Sequence, residues 1–314
     1  MRSVIPANRA VPAIDPVNDG RHRLRDLPLE RESIPYVVTL AEHGIGAFIY
    51  TWVDKDHLAG SVFVAYGPGV GPTPIVEKVD LVAVPADANF NDWKVGAVHL
   101  RQDLQLKTAT IEVTTARAKF EARYEALHPA YAYSSHPDGC PAWAATNRIE
   151  QAGRMRGTLT LDGRALTFDT TAARDHSWGT RDWQVPQHWK WLHAQAGPEL
   201  CVHFWQIQAY GRTDLRGYVL RDGRMAEVTD VEIDLETDDR YRQTRIDAIV
   251  RDNAGRTSRV TGEYFAHFPL VPGPHTTLNE GAMKCTIDDR PGVGWTEVMW
   301  PTAYLEYLLT IPKG

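Results

Sequence analysis

The sequence predicts an all-β fold of antiparallel strands, and three observations carry that expectation. Apolar residues recur with period 2 over most of the chain, as in Val231-Glu232-Ile233-Asp234-Leu235-Glu236, where they alternate strictly with acids in the manner of a strand with one face in water. Two Asp-Gly pairs, Asp162-Gly163 and Asp222-Gly223, each lie between alternating segments and supply the positive φ angles that a two-residue hairpin turn demands. Helical periodicity is scarce, and short strands at this spacing assemble into sandwiches or antiparallel barrels.

In chain order, strands are expected over Tyr36 to Leu40, Ala47 to Val53, Ser61 to Tyr66, Val95 to Leu100, Thr108 to Thr114 and Lys119 to Ala126. The hairpin Thr158 to Phe168 follows, then Trp189 to Gln195, Cys201 to Tyr210, the hairpin Tyr218 to Met225, Arg242 to Arg251, Arg259 to Phe265 and Gly294 to Trp300. Gly67 to Pro74 has glycines at alternate positions, but it lacks the Gly-Lys-Ser/Thr end of a phosphate loop and its prolines block helix entry, so it reads as a plain loop. His128 to Ala142, rich in Pro, Ser, Gly and Tyr, reads as a domain-edge loop or a lid over a pocket. The boundary is placed near Phe168, giving domains over residues 1–168 and 169–314 with a similar layout of strands and hairpins.

Composition excludes several functions. The 314 residues carry a formal charge of −6, and the most Arg-rich stretch, Arg240 to Arg259, is interleaved with Asp238, Asp239, Asp247 and Asp252. Phosphate binding needs unbalanced positive charge, so this is a solvated hairpin and no nucleic-acid partner is expected. No run of about 18 apolar residues suggests a membrane span, and Met1 to Asp15 lacks the apolar core of a signal peptide, so a cytoplasmic protein is expected. Cys140, Cys201 and Cys285 are odd in number and far apart, which fits reduced thiols. Ten Trp, twelve Tyr and eight Phe make the chain aromatic-rich, as suits both sheets and the walls of apolar ligand cavities.

Chemistry concentrates in Arg174-Asp175-His176-Ser177-Trp178-Gly179-Thr180-Arg181-Asp182-Trp183. On an extended chain Asp175 shares a face with Ser177, while Arg174, His176 and Trp178 share the other, so Asp175 and His176 cannot relay protons to each other. An Asp175 carboxyl facing an aromatic cavity would be shifted upward by desolvation and could act as a general acid near neutral pH. The alternative is an ion-pair network of Arg174, Asp175, Arg181 and Asp182 pinning two domains together. Downstream, Trp189, Trp191, His193 and Gln195 alternate onto one face, as do Cys201, His203, Trp205 and Ile207; if the strands pair with those faces inward, two histidines and three tryptophans line one interior. Glu280 and Glu297 either face the cavity of Asp175 or cap strand ends. No His-Glu-x-x-His helix, Gly-x-Ser-x-Gly elbow or dinucleotide fingerprint is present, so no metal and no cofactor is expected.

Arg174 to Gly179 with Arg181 and Trp183, preceded by Gly157-Thr158-Leu159-Thr160-Leu161-Asp162-Gly163, resembles the AttH and hydroxyneurosporene synthase superfamily, the carotenoid hydratase-like proteins and above all their uncharacterised bacterial members. Asn279-Glu280-Gly281 and Gly294-Trp295-Thr296-Glu297 extend the likeness through the second half. The resemblance implies two lipocalin-like antiparallel β-barrel domains in tandem, with the motif at the start of the second. It also implies chemistry of the kind its hydratases perform, addition of water to an isolated isoprenoid double bond without a redox cofactor. The expectation is a cofactor-independent enzyme that hydrates, dehydrates, isomerises or cyclises an apolar isoprenoid, steroid-like or aromatic molecule. Asp175, His176 and His193 would handle protons, and Arg174, Trp178, Trp183, Trp191, His203, Trp205 and Glu280 would hold substrate, the tryptophans stabilising developing positive charge. The alternative is a non-catalytic lipocalin-like carrier of a hydrophobic ligand.

Overall fold

The structure, a computed structural model, describes residues 3–311 and consists almost wholly of antiparallel strands. The first sheet contains β1 (Glu30–Leu40), β2 (Ile45–Asp54), β3 (Leu58–Tyr66), β4 (Ile75–Ala83), β5 (Trp93–Val95), β6 (Val98–Gln102), β7 (Thr108–Thr114), β8 (Ala118–Ala126), β9 (Tyr131–Ala132), β10 (Asn147–Leu161) and β11 (Arg164–Thr180). Its order is β4-β3-β2-β1-β11-β10-β8-β7-β6-β5, with β9 pairing β10 off the path. The sheet curls until it nearly closes: Ser61 Oγ on β3 donates to the Val95 carbonyl on β5 at 2.7 Å. Alternate residues fill the interior, among them Ile34, Tyr36, Val38 and Leu40 from β1 against Phe63, Ile111, Phe120, Met155 and Leu159.

The second sheet is a closed barrel of β12 (Pro186–Gln195), β13 (Leu200–Ala209), β14 (Arg212–Arg221), β15 (Arg224–Thr237), β16 (Gln243–Asp252), β17 (Thr257–Gly273), β18 (Thr276–Ile287) and β19 (Arg290–Pro301), each paired with the next and β19 with β12. Its lumen is packed by Leu192, Ala194, Val202, Phe204, Val219, Ala248, Val260 and Met283. A short helix, α1 (Thr302–Leu308), follows. No helix among the described residues is long and apolar enough to cross a membrane.

Both Asp-Gly hairpins form as the sequence predicts. Leu161 faces Arg164 across Asp162 (φ 47°) and Gly163 (φ 85°), and Arg221 faces Arg224 across Asp222 (φ 51°) and Gly223 (φ 74°). Charges on the Arg-rich hairpin pair across strands: Arg251 Nη1 reaches Asp230 at 2.9 Å and Glu232 at 2.6 Å, and Arg245 reaches Glu236 at 3.2 Å. None of the three cysteines forms a disulfide among the described residues. Two expectations change. Val95 to Leu100 is two strands, because Gly96 (φ 57°) turns the chain between β5 and β6. The polar stretch around Asn279-Glu280-Gly281 is the body of β18, and Gly281 is needed for space there, since a Cβ would lie 2.8 Å from the Tyr264 ring.

The chain divides into two compact units, one of Pro12–Ser135 with Gly139–Arg181 and one of Met1–Val11, His136–Asp138 and Asp182–Gly314. Phe168 lies inside β11, which pairs with β10 along its length and with β1 from Ala172 to Thr180. The motif strand is therefore part of the first sheet, and the division comes after Arg181 instead of near Phe168. Polar composition suggested a boundary, but the ladder of backbone hydrogen bonds runs through it.

Gly179 ends the motif for a steric reason. At φ +121° an added Cβ would sit 2.3 Å from the Thr146 backbone nitrogen, which itself donates to the Trp178 carbonyl at 2.8 Å. Gly163 has positive φ but nothing within 4 Å of the added Cβ. Urea denaturation will show Gly179→Ala losing roughly 2–4 kcal/mol and Gly163→Ala about 1 kcal/mol; equal losses would mean that Thr146 moves aside freely.

Candidate functional site

Strand alternation sends Arg174, His176 and Trp178 to the inner face of β11, the face that carries Phe168 and Ala172 into the first core. A charged side chain there needs acceptors. The N-terminal turn Pro16–Asp19 supplies one: Arg174 Nη1 donates to Asp19 Oδ1 at 2.9 Å and to Gln102 Oε1 at 2.8 Å, and Nε donates to Gln151 Oε1 at 3.0 Å. The second Asp19 oxygen accepts from the Leu106 amide at 2.8 Å. Burial opposes the Arg174 charge, but Tyr36, Asp19 and Tyr124 outweigh it and hold the guanidinium protonated. Arg174 thus ties the N-terminal segment, β6 and β10 to β11.

Two residues along, His176 is fully buried and its Nε2 meets Glu32 Oε1 at 2.7 Å. The same oxygen meets His22 Nδ1 at 2.7 Å, and Glu32 Oε2 accepts from the His22 amide at 2.9 Å. His22 stacks on Trp178 with centroids 3.7 Å apart, and Phe90 packs edge-on against His176 at 5.4 Å. Burial pushes the Glu32 carboxyl up, but the hydrogen bonds from His176 and His22 prevail and hold it below the usual range. Burial lowers His176, against the pull of Glu32, so it rests as a neutral imidazole that donates Nε2–H to a carboxylate. Its Nδ1 is buried with no hydrogen-bond partner among the described residues.

This chain of three side chains reaches solvent at one end. His22 lines a cavity of about 580 Å³ together with Arg21, Arg23, Lys55, His57 and Asn89. Arg21 donates to the Pro85 and Ala88 carbonyls at 3.0 and 3.1 Å and to His57 Nδ1 at 2.7 Å, and among the described residues it has no carboxylate partner. Buried acid, buried base and half-exposed imidazole in series can move a proton between the cavity and the barrel interior. The same three side chains place one nitrogen or oxygen each within 4.8 Å of one another, the donor types of a His₂–carboxylate metal site. Sequence reasoning named His176 and Trp178 but missed Glu32 and His22, which lie about 144 and 154 positions away; an acid at an inward position of β1 was the available signal.

Asp175 points the other way. Its Oδ2 accepts from Arg148 Nη2 at 2.7 Å, and Arg148 Nε donates to Glu150 Oε1 at 2.6 Å. Ser177 on the same face meets Ser33 at 3.2 Å and Arg181 Nη2 at 2.6 Å. The aromatic wall expected around Asp175 is replaced on this side by a guanidinium. Arg174 and Asp175 do not share one ion-pair network: the first pairs inward with Asp19, the second outward with Arg148.

In the second barrel β12 and β13 pair as expected, with Trp191 opposite Trp205 and His193 opposite His203. Their shared face is the outer one, since the lumen takes Leu192, Ala194, Val202 and Phe204. Period 2 separates the faces without saying which is inside. The outer face is nevertheless buried: Trp191, His193, His203, Trp205, Trp295 and Glu280 are all under one-tenth exposed. Trp191 lies 5.3 Å from the His203 ring, and His203 Nδ1 meets the Leu192 carbonyl at 3.0 Å. Glu280 stands mid-strand opposite Glu297 and accepts from Trp295 Nε1 at 2.6 Å, while Glu297 accepts from Trp189 Nε1 at 2.8 Å. Neither acid caps a strand end. Trp183 precedes β12 and lies 5.8 Å from the Trp189 ring.

The DUF7064 family, a domain of unknown function, matches residues 15–302. The chain belongs to that family. No curated protein matches it. Among solved structures, the Nitrosomonas europaea protein NE1406, provisionally named AttH, shares 14% identity at a TM-score of 0.66, covering 95% of this chain and 98% of that one. CghA shares 13% identity at a TM-score of 0.61, covering 87% and 89%, and its structure with Sch210972 aligns at a TM-score of 0.60. The DUF7064 chain thus has the AttH and CghA fold, as the motif resemblance implied.

Two predictions follow from the inner face of β11. Arg174→Met leaves Asp19 buried without its cation and lowers unfolding free energy by about 3–5 kcal/mol, whereas Arg154→Met, which breaks the exposed pair with Asp169, costs under about 0.5 kcal/mol. Denaturant titration of both variants checks the contrast. His176 and Glu32 are both held below their ordinary values, so each stabilises fully above its unfolded value and less as pH falls. Stability should therefore be flat above about pH 6.5, decline as His176 takes a proton, and fall further below about pH 4.3 as Glu32 does. Urea midpoints between pH 8 and pH 3 test this, and His176→Asn should flatten the upper step.

Proposed function

We propose that this DUF7064 protein is a small-molecule enzyme whose chemistry is proton transfer, with His22, Glu32 and His176 as the proton-handling unit. The observation that supports it is the shared Glu32 oxygen, 2.7 Å from an imidazole nitrogen on each side, one imidazole buried and one on a cavity wall. Glu32 fixes the His22 ring, as an orienting carboxylate does for a catalytic histidine. The reaction class is hydration, dehydration, isomerisation or cyclisation, none of which consumes a redox equivalent.

The cavity refines the substrate class. Arg21 and Arg23 line the cavity together with Asp54 and Asp87, neither arginine makes an ion pair among the described residues, and Trp178 lies beneath His22. We read the substrate as an apolar isoprenoid, steroid-like or aromatic body that carries an anionic group such as a carboxylate. Asp175, on the opposite face, then serves as an ion-pair anchor, and His193 and His203 lie outside the proton path.

The deciding experiment begins with native mass spectrometry of protein purified from its own host, with extraction of any bound molecule, followed by turnover assays on that molecule. Glu32→Gln and His22→Gln should each lower kcat by about 10²–10⁴-fold, with circular dichroism confirming the fold, and Asp175→Asn should act mainly on stability. Loss of turnover in Asp175→Asn alone would move the chemistry to the outer face. Stoichiometric metal in the purified protein would make the three side chains a metal centre instead. A tightly bound ligand that never changes in mass or structure would favour a carrier.

A further inference from the structure

The lumen of the second barrel holds a lysine that the proton-transfer reading does not use. Lys190 has the parity of Leu192 and Ala194, so it points into the barrel, away from the Trp191 and His193 face. Its cross-strand neighbours are Gln206 and Val298, neither of them acidic. Among the described residues its Nζ makes no ion pair, and its one polar partner is His188 Nε2 at 3.1 Å. A lysine in such a place ordinarily finds a carboxylate.

Polar groups gather around it. Trp300 packs on His188 with centroids 4.5 Å apart, and its Nε1 has no partner among the described residues. Gln243, fully buried, donates Nε2–H to the Asn279 carbonyl at 2.7 Å and to Thr296 Oγ1 at 3.2 Å, while its Oε1 is left without a donor. Thr296 and Asn279 have the same lumen-facing parity as Gly294 and Met283. One end of the barrel therefore presents an amine, an imidazole, an indole N–H and an amide oxygen above an apolar floor of Leu192, Phe204 and Leu215.

We propose that this end of the second barrel is a separate reactive site, in which the Lys190 amine condenses with a small apolar aldehyde or ketone to form an imine. The nitrogen lone pair adds to the carbonyl carbon, the oxygen takes a proton to give a carbinolamine, and loss of water leaves a C=N bond to Nζ. No oxidant or reductant is needed. His188 sits where it can pass the proton from nitrogen to the departing hydroxyl. Desolvation lowers the lysine, and it lowers His188 to about 4, so both are drawn toward their neutral forms.

Reductive trapping tests this on the intact protein. Benzaldehyde and cyanoborohydride at pH 7 convert any imine to a stable benzyl amine, and peptide mapping assigns it among the eight lysines. Lys190 should be labelled at least roughly tenfold faster than any exposed lysine, since His188 stands beside its amine to move the proton. Lys190→Met should abolish the fast adduct with the fold intact, and His188→Gln should slow its formation without moving it. Labelling of Lys190 no faster than the exposed lysines, or a fast adduct that survives Lys190→Met, overturns the proposal. Neither outcome touches the His22–Glu32–His176 reading, which uses no residue of this barrel.

Discussion

Burial on both faces of β11 is the constraint on which the first unit depends. From Ala172 to Gly179 every residue of β11 is buried, so each polar one in that run must be answered by a partner from elsewhere in the chain. Asp19 answers Arg174, Glu32 answers His176, and Arg148 answers Asp175. A motif of ten residues therefore dictates the placement of an N-terminal turn, an acid on β1 and an arginine on β10. Each partner arrives with its own hydrogen bonds, so polar groups occupy one part of an otherwise apolar interior.

Such a network contributes less to net stability than to uniqueness. Moving charges out of water costs several kcal/mol per ion, and their attraction roughly offsets it when every lone pair is used. What the arrangement gives is position. Glu32 receives an imidazole on each side and a backbone amide besides, so neither ring can rotate without stranding a buried carboxylate. A half-exposed histidine held this way keeps one geometry toward the cavity, the condition under which general acid–base groups work.

Much of the fold was legible because it rests on local signals. Asp162-Gly163 and Asp222-Gly223 declare their hairpins through backbone angles, and alternation in β7, β8 and β12 declares strands. β4 went unread because its exposed Lys78 and Asp80 obscure the pattern, and β18 because Asn279, Glu280 and Gly281 resemble turn residues while serving packing and hydrogen bonding within a strand. The site was half legible. Alternation correctly separated Asp175 from Arg174, His176 and Trp178, but it does not say which face is interior, and so it left open whether the Trp191 and His203 face points inward. His22 and Glu32 join the site only through the pairing of β1 with β11 and the path of the N-terminal segment, neither of which any local pattern encodes.

The two lumens solve the problem of an interior cation in opposite ways, and the difference follows from side-chain chemistry. Arg174 presents a planar fork whose Nε and Nη1 donate to three acceptors while Nη2 has no hydrogen-bond partner among the described residues, with Asp19 neutralising it, and its charge is permanent. Lys190 has one imidazole neighbour and no acid among the described residues, a setting that a guanidinium could not tolerate but an amine can, because an amine can release its proton. An arginine fixed by acceptors holds a structure together; a lysine relieved of its charge keeps a lone pair. The first barrel therefore uses its buried cation to build, and the half-buried lysine of the second is the one proposed to react.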